Sequence, residues 1–86
     1  MTENEKKMIS LFEWSLAEYL KLDPNNDCQR KVFAYLDMQA DKLKSNPKYS
    51  RDLNLSQIEF NKNVDFCVKF VKADYNLNNG GMFSVY

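Results

Sequence analysis

A single predicted helix at residues 55–77 carries two apolar stripes, and this feature constrains the fold more than any other. Ser56 and Glu59 have the spacing of a capping box, and Leu55 and Phe60 occupy the staple positions, so the helix is predicted to begin at Ser56. At about 100° of rotation per residue, the first stripe has the pattern of a helix face buried in a core. Its members are Phe60, Val64, Cys67, Val68, Val71 and Tyr75.

The second stripe lies about 120° around the same helix. Its members follow the spacing i, i+4, i+7 and i+11: Phe66, Phe70, Ala73 and Leu77. Either two neighbouring helices cover both stripes, or the second stripe is left for a partner. The central helix of a three-helix bundle normally touches both others, so the sequence favours full coverage.

Two more amphipathic helices precede this one. Thr2 and Glu5 form another capping box, and Asp23 with Pro24 at the first helical position predicts the next helix start. The core-facing residues expected on these helices are Met8, Ile9, Phe12, Leu16, Tyr19, Leu20, Val32, Phe33, Leu36, Ala40 and Leu43. The chain is therefore predicted to be all-α, one domain at 1–86, a small three-helix bundle with helices at about 2–22, 24–44 and 56–77.

Two segments lie outside these helices. The loop at 45–55 contains Pro47 and is long enough to hold a short fourth helical turn at 48–54, with Tyr49 as one of its contact residues. The tail at 78–86 ends in an apolar run that includes Phe83 and Tyr86. Packing of this tail against the bundle is favoured, and binding to another chain is the alternative.

Charge and composition exclude several functions. Twelve basic and twelve acidic residues cancel, which argues against a general polyanion-binding surface. The chain has no histidine, and its two glycines are adjacent, so it lacks the usual general base and a phosphate-binding loop. We therefore expect no enzymatic activity, no cofactor and no small-molecule substrate.

A metal site is also not expected. Asp23, Asn25 and Asp27 match the start of a calcium-binding loop, but Cys28 replaces the required glycine and Ala34 the bidentate glutamate.

The outer face of the second helix is predicted to be a solvated surface of ion pairs. Asp37 and Asp41 lie one turn apart, within reach of Arg30 and Lys44 on the same helix. Tyr35 is predicted to stray from the core face of this helix.

A cytoplasmic location, in the producing or a host cell, is expected. The two cysteines, Cys28 and Cys67, lack metal-site spacing and are predicted to be small buried residues rather than a disulfide. No apolar run approaches the length of a membrane span, and the start MTENEKK lacks the apolar core of a secretion signal.

Trp14 is the main candidate for a binding residue. It projects about 160° from the middle of the first helix's apolar face, beside Leu11. Either a loop, the tail or lysine stems cover it, or it anchors an interface, and the sequence leaves both open. The partner-binding residues predicted for the whole chain are Leu11, Trp14, Lys21, Phe66, Phe70, Phe83 and Tyr86.

These residues predict a protein–protein interaction module, in the class of inhibitors, immunity-type proteins or adaptors that block a larger partner. Frequent lysine and asparagine suggest a phage or mobile element as the source. The alternative is a homodimeric nucleic-acid regulator that uses a basic and aromatic patch on the last helix. That patch comprises Lys62, Phe66, Lys69 and Lys72.

Overall fold

Four α-helices follow one another along the chain in the computed structural model, which describes residues 1–80 and the side chains of residues 1–78. They are α1 (Glu3–Leu22), α2 (Gln29–Lys44), α3 (Pro47–Asp52) and α4 (Gln57–Tyr75). A 3₁₀ turn (Pro24–Asn26) precedes α2, and a π-helical turn (Asn76–Gly80) follows α4. Residues 1–80 contain no β-strand, which confirms the predicted all-α class, and α3 is the short fourth helix expected in the connection.

The helix starts are fixed by the predicted caps. The Thr2 hydroxyl accepts a hydrogen bond from the Glu5 amide at 3.1 Å, and the Thr2 amide donates to the Glu5 carboxylate at 2.8 Å. The Ser56 hydroxyl accepts from the Glu59 amide at 3.1 Å. Each bond satisfies a first-turn donor that would otherwise lack a partner, so α1 and α4 begin where the sequence predicted.

The predicted start of the second helix at residue 24 is wrong by five residues. The Asp23 carboxylate does accept from the Asn25 amide, at 2.9 Å, but it caps only the 3₁₀ turn. The Asn26 side chain donates to the Tyr19 carbonyl at 3.0 Å, and Asp27 accepts from the Tyr75 hydroxyl at 2.6 Å. These tertiary bonds hold the corner out of helical geometry, and α2 begins after an extended Cys28.

The core lies where α4 meets α1 and α2. All six residues of the first stripe are buried, and Phe12, Val32 and Leu36 lie opposite them with almost no exposure. The predicted core residues Tyr19, Leu20, Phe33 and Leu43 are partly buried at the edge of this cluster. α4 is therefore the central helix, and its contacts place it parallel to α1 and antiparallel to α2.

Tyr35 packs in the contact between α1 and α2. The prediction that it lies off the core face is therefore wrong. Its ring stacks on Tyr19 with centroids 4.2 Å apart, and its hydroxyl lies 2.5 Å from the Ser15 hydroxyl. Because a tyrosine joins an apolar ring to a polar tip, it can seal the edge of a thin core.

The carboxylates of α2 pair with lysines differently from the prediction. Asp37 accepts from Lys72 of α4 at 2.7 Å, and Lys44 pairs with Asp65 of α4. Antiparallel packing brings the polar edge of α4 alongside α2, so the ion pairs join two helices instead of lying on one.

A core truncation tests this architecture. Phe12→Ala should lower the free energy of unfolding by about 3–5 kcal/mol, because it removes a fully buried ring and leaves a cavity. Urea denaturation followed by circular dichroism measures the change. Ile58→Ala, at a side chain that is 70% exposed, is the control and should change it by less than about 0.5 kcal/mol. Equal effects of the two substitutions would contradict the core assignment.

From the surroundings of the Tyr75 hydroxyl we expect the folded protein to lose stability at alkaline pH. Burial, the largest cause, together with the hydrogen bond and the charge of Asp27, raises the pKa of Tyr75 from 10.0 to about 12. The folded state therefore holds this proton more tightly than the unfolded state, and the resulting stabilisation is complete below about pH 10 and lost as the pH rises toward 12.

Denaturation at pH 9 and pH 11 measures this effect, with the pH values bracketing the ordinary tyrosine pKa of about 10. Tyr75→Phe should show a smaller decline than the unmodified protein. Tyr49→Phe removes an exposed hydroxyl and should retain the full decline. The assignment fails if Tyr75→Phe declines as steeply as the unmodified chain.

Candidate protein-binding surface

The second stripe of α4 is exposed, so the expectation that neighbouring helices cover it is wrong. Phe66 is 45% exposed and Phe70 41%, and Leu77 beyond them is also exposed. Both long neighbours of α4 pack against its core stripe, and α3 is only six residues long and contacts the start of α4, where Ser50 bonds to Gln57. No described helix is left to cover the other side.

Trp14 is also exposed, with 64% of its surface accessible, so no described loop or lysine side chain covers it. It borders a cleft of about 400 Å³ between α1 and α2, together with Leu11, Ser15, Gln39 and Lys42. The cleft is closed on one side by Asn46 and Tyr49 at the start of α3.

A second cleft, of about 170 Å³, adjoins the first. The two clefts share Leu11, Leu43 and Tyr49. The floor of the second is apolar, formed by Met8, Leu53 and Phe60, and its polar rim is Asn4, Lys7 and Asp52. Its volume is below the roughly 300–1,000 Å³ of small-molecule sites, so it matches a single large side chain better than a metabolite.

We call the exposed parts of Leu11, Trp14 and Tyr49, together with these two clefts, the Trp14 surface. The position of α3 builds it. The buried Ser50 hydroxyl bonds to the Gln57 side chain of α4 at 3.2 Å, and Asn54 turns the chain with a φ of 58°, a left-handed conformation that asparagine tolerates better than most residues. In this position of α3, Tyr49 lines both clefts together with Leu11 of α1.

The predicted partner-binding residues do not form one surface. Leu11 and Trp14 come together, whereas Phe66 lines a different groove, between α2 and α4, whose lining shares no residue with the Trp14 cleft. Lys21 pairs with Glu18 on α1 at 3.5 Å and lines neither cleft. Phe83 and Tyr86 lie outside the described residues.

Sequence reasoning missed several contributors to the surface. Tyr49 was expected only as a loop contact, because nothing in the sequence shows that α3 packs beside α1. Leu43 was assigned to the core, and it is half-buried at the boundary of the two clefts.

Three of the four residues considered for nucleic-acid binding, Phe66, Lys69 and Lys72, line a groove with balanced charge. Three lysines line it, Lys44, Lys69 and Lys72, and so do three aspartates, Asp37, Asp41 and Asp65. The Lys72 ammonium is bonded to Asp37 and lies 5.0 Å from the centre of the Phe33 ring. Lys62 and Lys69 are exposed and form no ion pair within residues 1–78.

The potential metal ligands do not cluster within the described part of the chain. No group of three or more metal-binding side chains occurs there. Both cysteines are free, as predicted; Cys67 is buried and donates to the Glu5 carbonyl at 3.6 Å, and Cys28 is half-buried at the start of α2. Burial, with a smaller contribution from the Glu5 charge, raises the pKa of Cys67 to about 11, so its reactive thiolate is scarce at neutral pH.

None of the helices among residues 1–80 has the length and apolar character that crossing a membrane requires. Comparison of the chain with protein-family models, with curated proteins and with solved structures found no match.

Trp14 is the only tryptophan in the chain, so its fluorescence reports directly on this surface. An exposed indole should emit close to the wavelength of tryptophan in water and be quenched efficiently by acrylamide. Unfolding in urea should then shift the emission little. A blue-shifted emission that moves to longer wavelength on unfolding would show that Trp14 is covered in solution.

Proposed function

We propose that this chain is a small protein-binding module and that the Trp14 surface is its contact with another protein. The observation that carries the proposal is the exposed Trp14 on the cleft of about 400 Å³, which adjoins the apolar cleft of about 170 Å³ that is sized for one side chain. The partner would insert an apolar side chain into this cleft and cover the indole. Tryptophan is enriched among the few residues that dominate binding energy, and a central pocket filled by one anchor is typical of such sites.

The charges around the clefts define the partner further. Lys7 and Lys42 line them without forming an ion pair within residues 1–78, and Asp52 is the one carboxylate in the two linings. A partner segment with carboxylates beside its apolar anchor would complement the two ammonium groups and associate faster as a result. We therefore propose an amphipathic acidic segment as the bound element.

A module of this kind would act as an inhibitor, an immunity-type protein or an adaptor that blocks a larger macromolecule, in the cytoplasm of the producing or host cell. Its balanced charge, twelve basic against twelve acidic residues, supports recognition by local shape and a few contacts over long-range attraction. A phage or mobile-element origin belongs to the same proposal.

Affinity capture followed by reconstitution tests the proposal. The tagged chain is used to capture proteins from cells that express it naturally, and each captured protein is then purified and titrated by calorimetry. Trp14→Ala should raise the Kd by about 30-fold or more, which corresponds to about 2 kcal/mol, since it removes the anchor at the centre of the surface. The double variant Lys7→Glu, Lys42→Glu should also weaken binding, and it should slow association with the acidic segment.

Ile58→Ala is the matched control, because it removes another exposed apolar side chain that lines neither cleft. It should bind like the unmodified chain. Binding that survives Trp14→Ala would refute the assignment of this surface. Tight binding to duplex or single-stranded DNA that falls steeply with salt would instead favour the nucleic-acid alternative.

A further inference from the structure

The exposed stripe of α4 has the spacing of a coiled-coil seam. Phe66, Phe70 and Ala73 are separated by four and three residues, which are the d, a and d positions of a heptad. Asn63 occupies the preceding a position, where a single asparagine favours a two-stranded pairing in fixed register. Phe66 and Phe70 are the large exposed side chains of this seam.

The charges on the two sides of the seam are opposite and spaced five residues apart. Lys69 lies about 70° to one side of the stripe and Asp74 about 70° to the other, which are g and e positions. Neither residue forms an ion pair within residues 1–78. In a parallel helix pair the g residue of one chain meets the e residue five positions later in the other, so Lys69 would meet Asp74 of a second copy on both sides.

We propose that two copies of the chain pair through α4, with the helices parallel about a two-fold axis. The two-fold axis places Phe66 and Phe70 of one copy against the same residues of the other copy. It also forms two Lys69–Asp74 pairs between the copies. In an antiparallel pair, the g positions of one copy would face the g positions of the other. Lys62 and Lys69 of one copy would then lie against the same lysines of the second copy. The charge pattern therefore selects the parallel arrangement.

The seam has few large side chains, so the area that each copy buries should be smaller than the roughly 800 Å² per partner of a standard complex. We therefore expect weak association, with dimers that dissociate on dilution. Sedimentation equilibrium from about 1 µM to 1 mM covers the range of weak association. The unmodified chain should form dimers within this range, and Phe66→Lys should stay monomeric. Trp14→Ala should dimerise normally, which separates this inference from the proposed function.

Charge exchange tests the geometry. Lys69→Asp and Asp74→Lys should each raise the dimer Kd about tenfold, because each substitution replaces two attractive pairs by two repulsive ones. The double variant should restore the original Kd. Circular dichroism confirms that each variant is folded.

Three results would overturn the inference. The inference fails if the unmodified chain stays monomeric throughout the concentration range. If the double variant does not restore dimerisation, Lys69 and Asp74 do not pair across the interface. Tighter association of Lys69→Asp would indicate the antiparallel arrangement.

Discussion

The packing of one stripe of α4 against both α1 and α2 holds the molecule together. Six residues of that stripe are buried, and the largest fully buried side chains of the other two helices, Phe12 and Leu36, lie against it. A chain of 86 residues can bury only about 60–65% of its unfolded surface, so a single central helix has to supply a large part of the core. Polar links then seal its edges: the ion pairs from α2 to α4, the Tyr35 contact with α1, and the bond from Tyr75 to Asp27.

The sequence was a good guide wherever local chemistry decides the structure. The caps at Thr2 and Ser56 fix helix starts through bonds that span only three residues, and burial of one stripe follows directly from its 3.6-residue period. These features need no knowledge of how the helices are arranged. The position of Trp14 opposite the apolar face of α1 follows from the same period, but its exposure does not, because a loop or a lysine side chain could have covered it.

The errors arose where distant residues compete with local preference. Asp23 and Pro24 favour a helix start, but Asn26 and Asp27 are engaged by Tyr19 and Tyr75, and the helix begins later. The pairing of Asp37 with Lys72 depends on the antiparallel order of α2 and α4, which a pattern on one helix does not contain. The candidate site was predictable to the extent of Leu11 and Trp14, whereas the contributions of Tyr49 and Leu43 required the position of α3.

The six-residue length of α3 also affects how the Trp14 surface behaves. Its Tyr49 lines both clefts, yet the helix is too short to be stable by itself and is attached through the bond of Ser50 to Gln57 and through Leu53 and Leu55. Local opening needs least free energy where few buried contacts are lost, so this wall can separate while the three long helices stay folded. Opening of this wall would widen the two clefts and let them accept side chains of different size without disturbing the rest of the molecule.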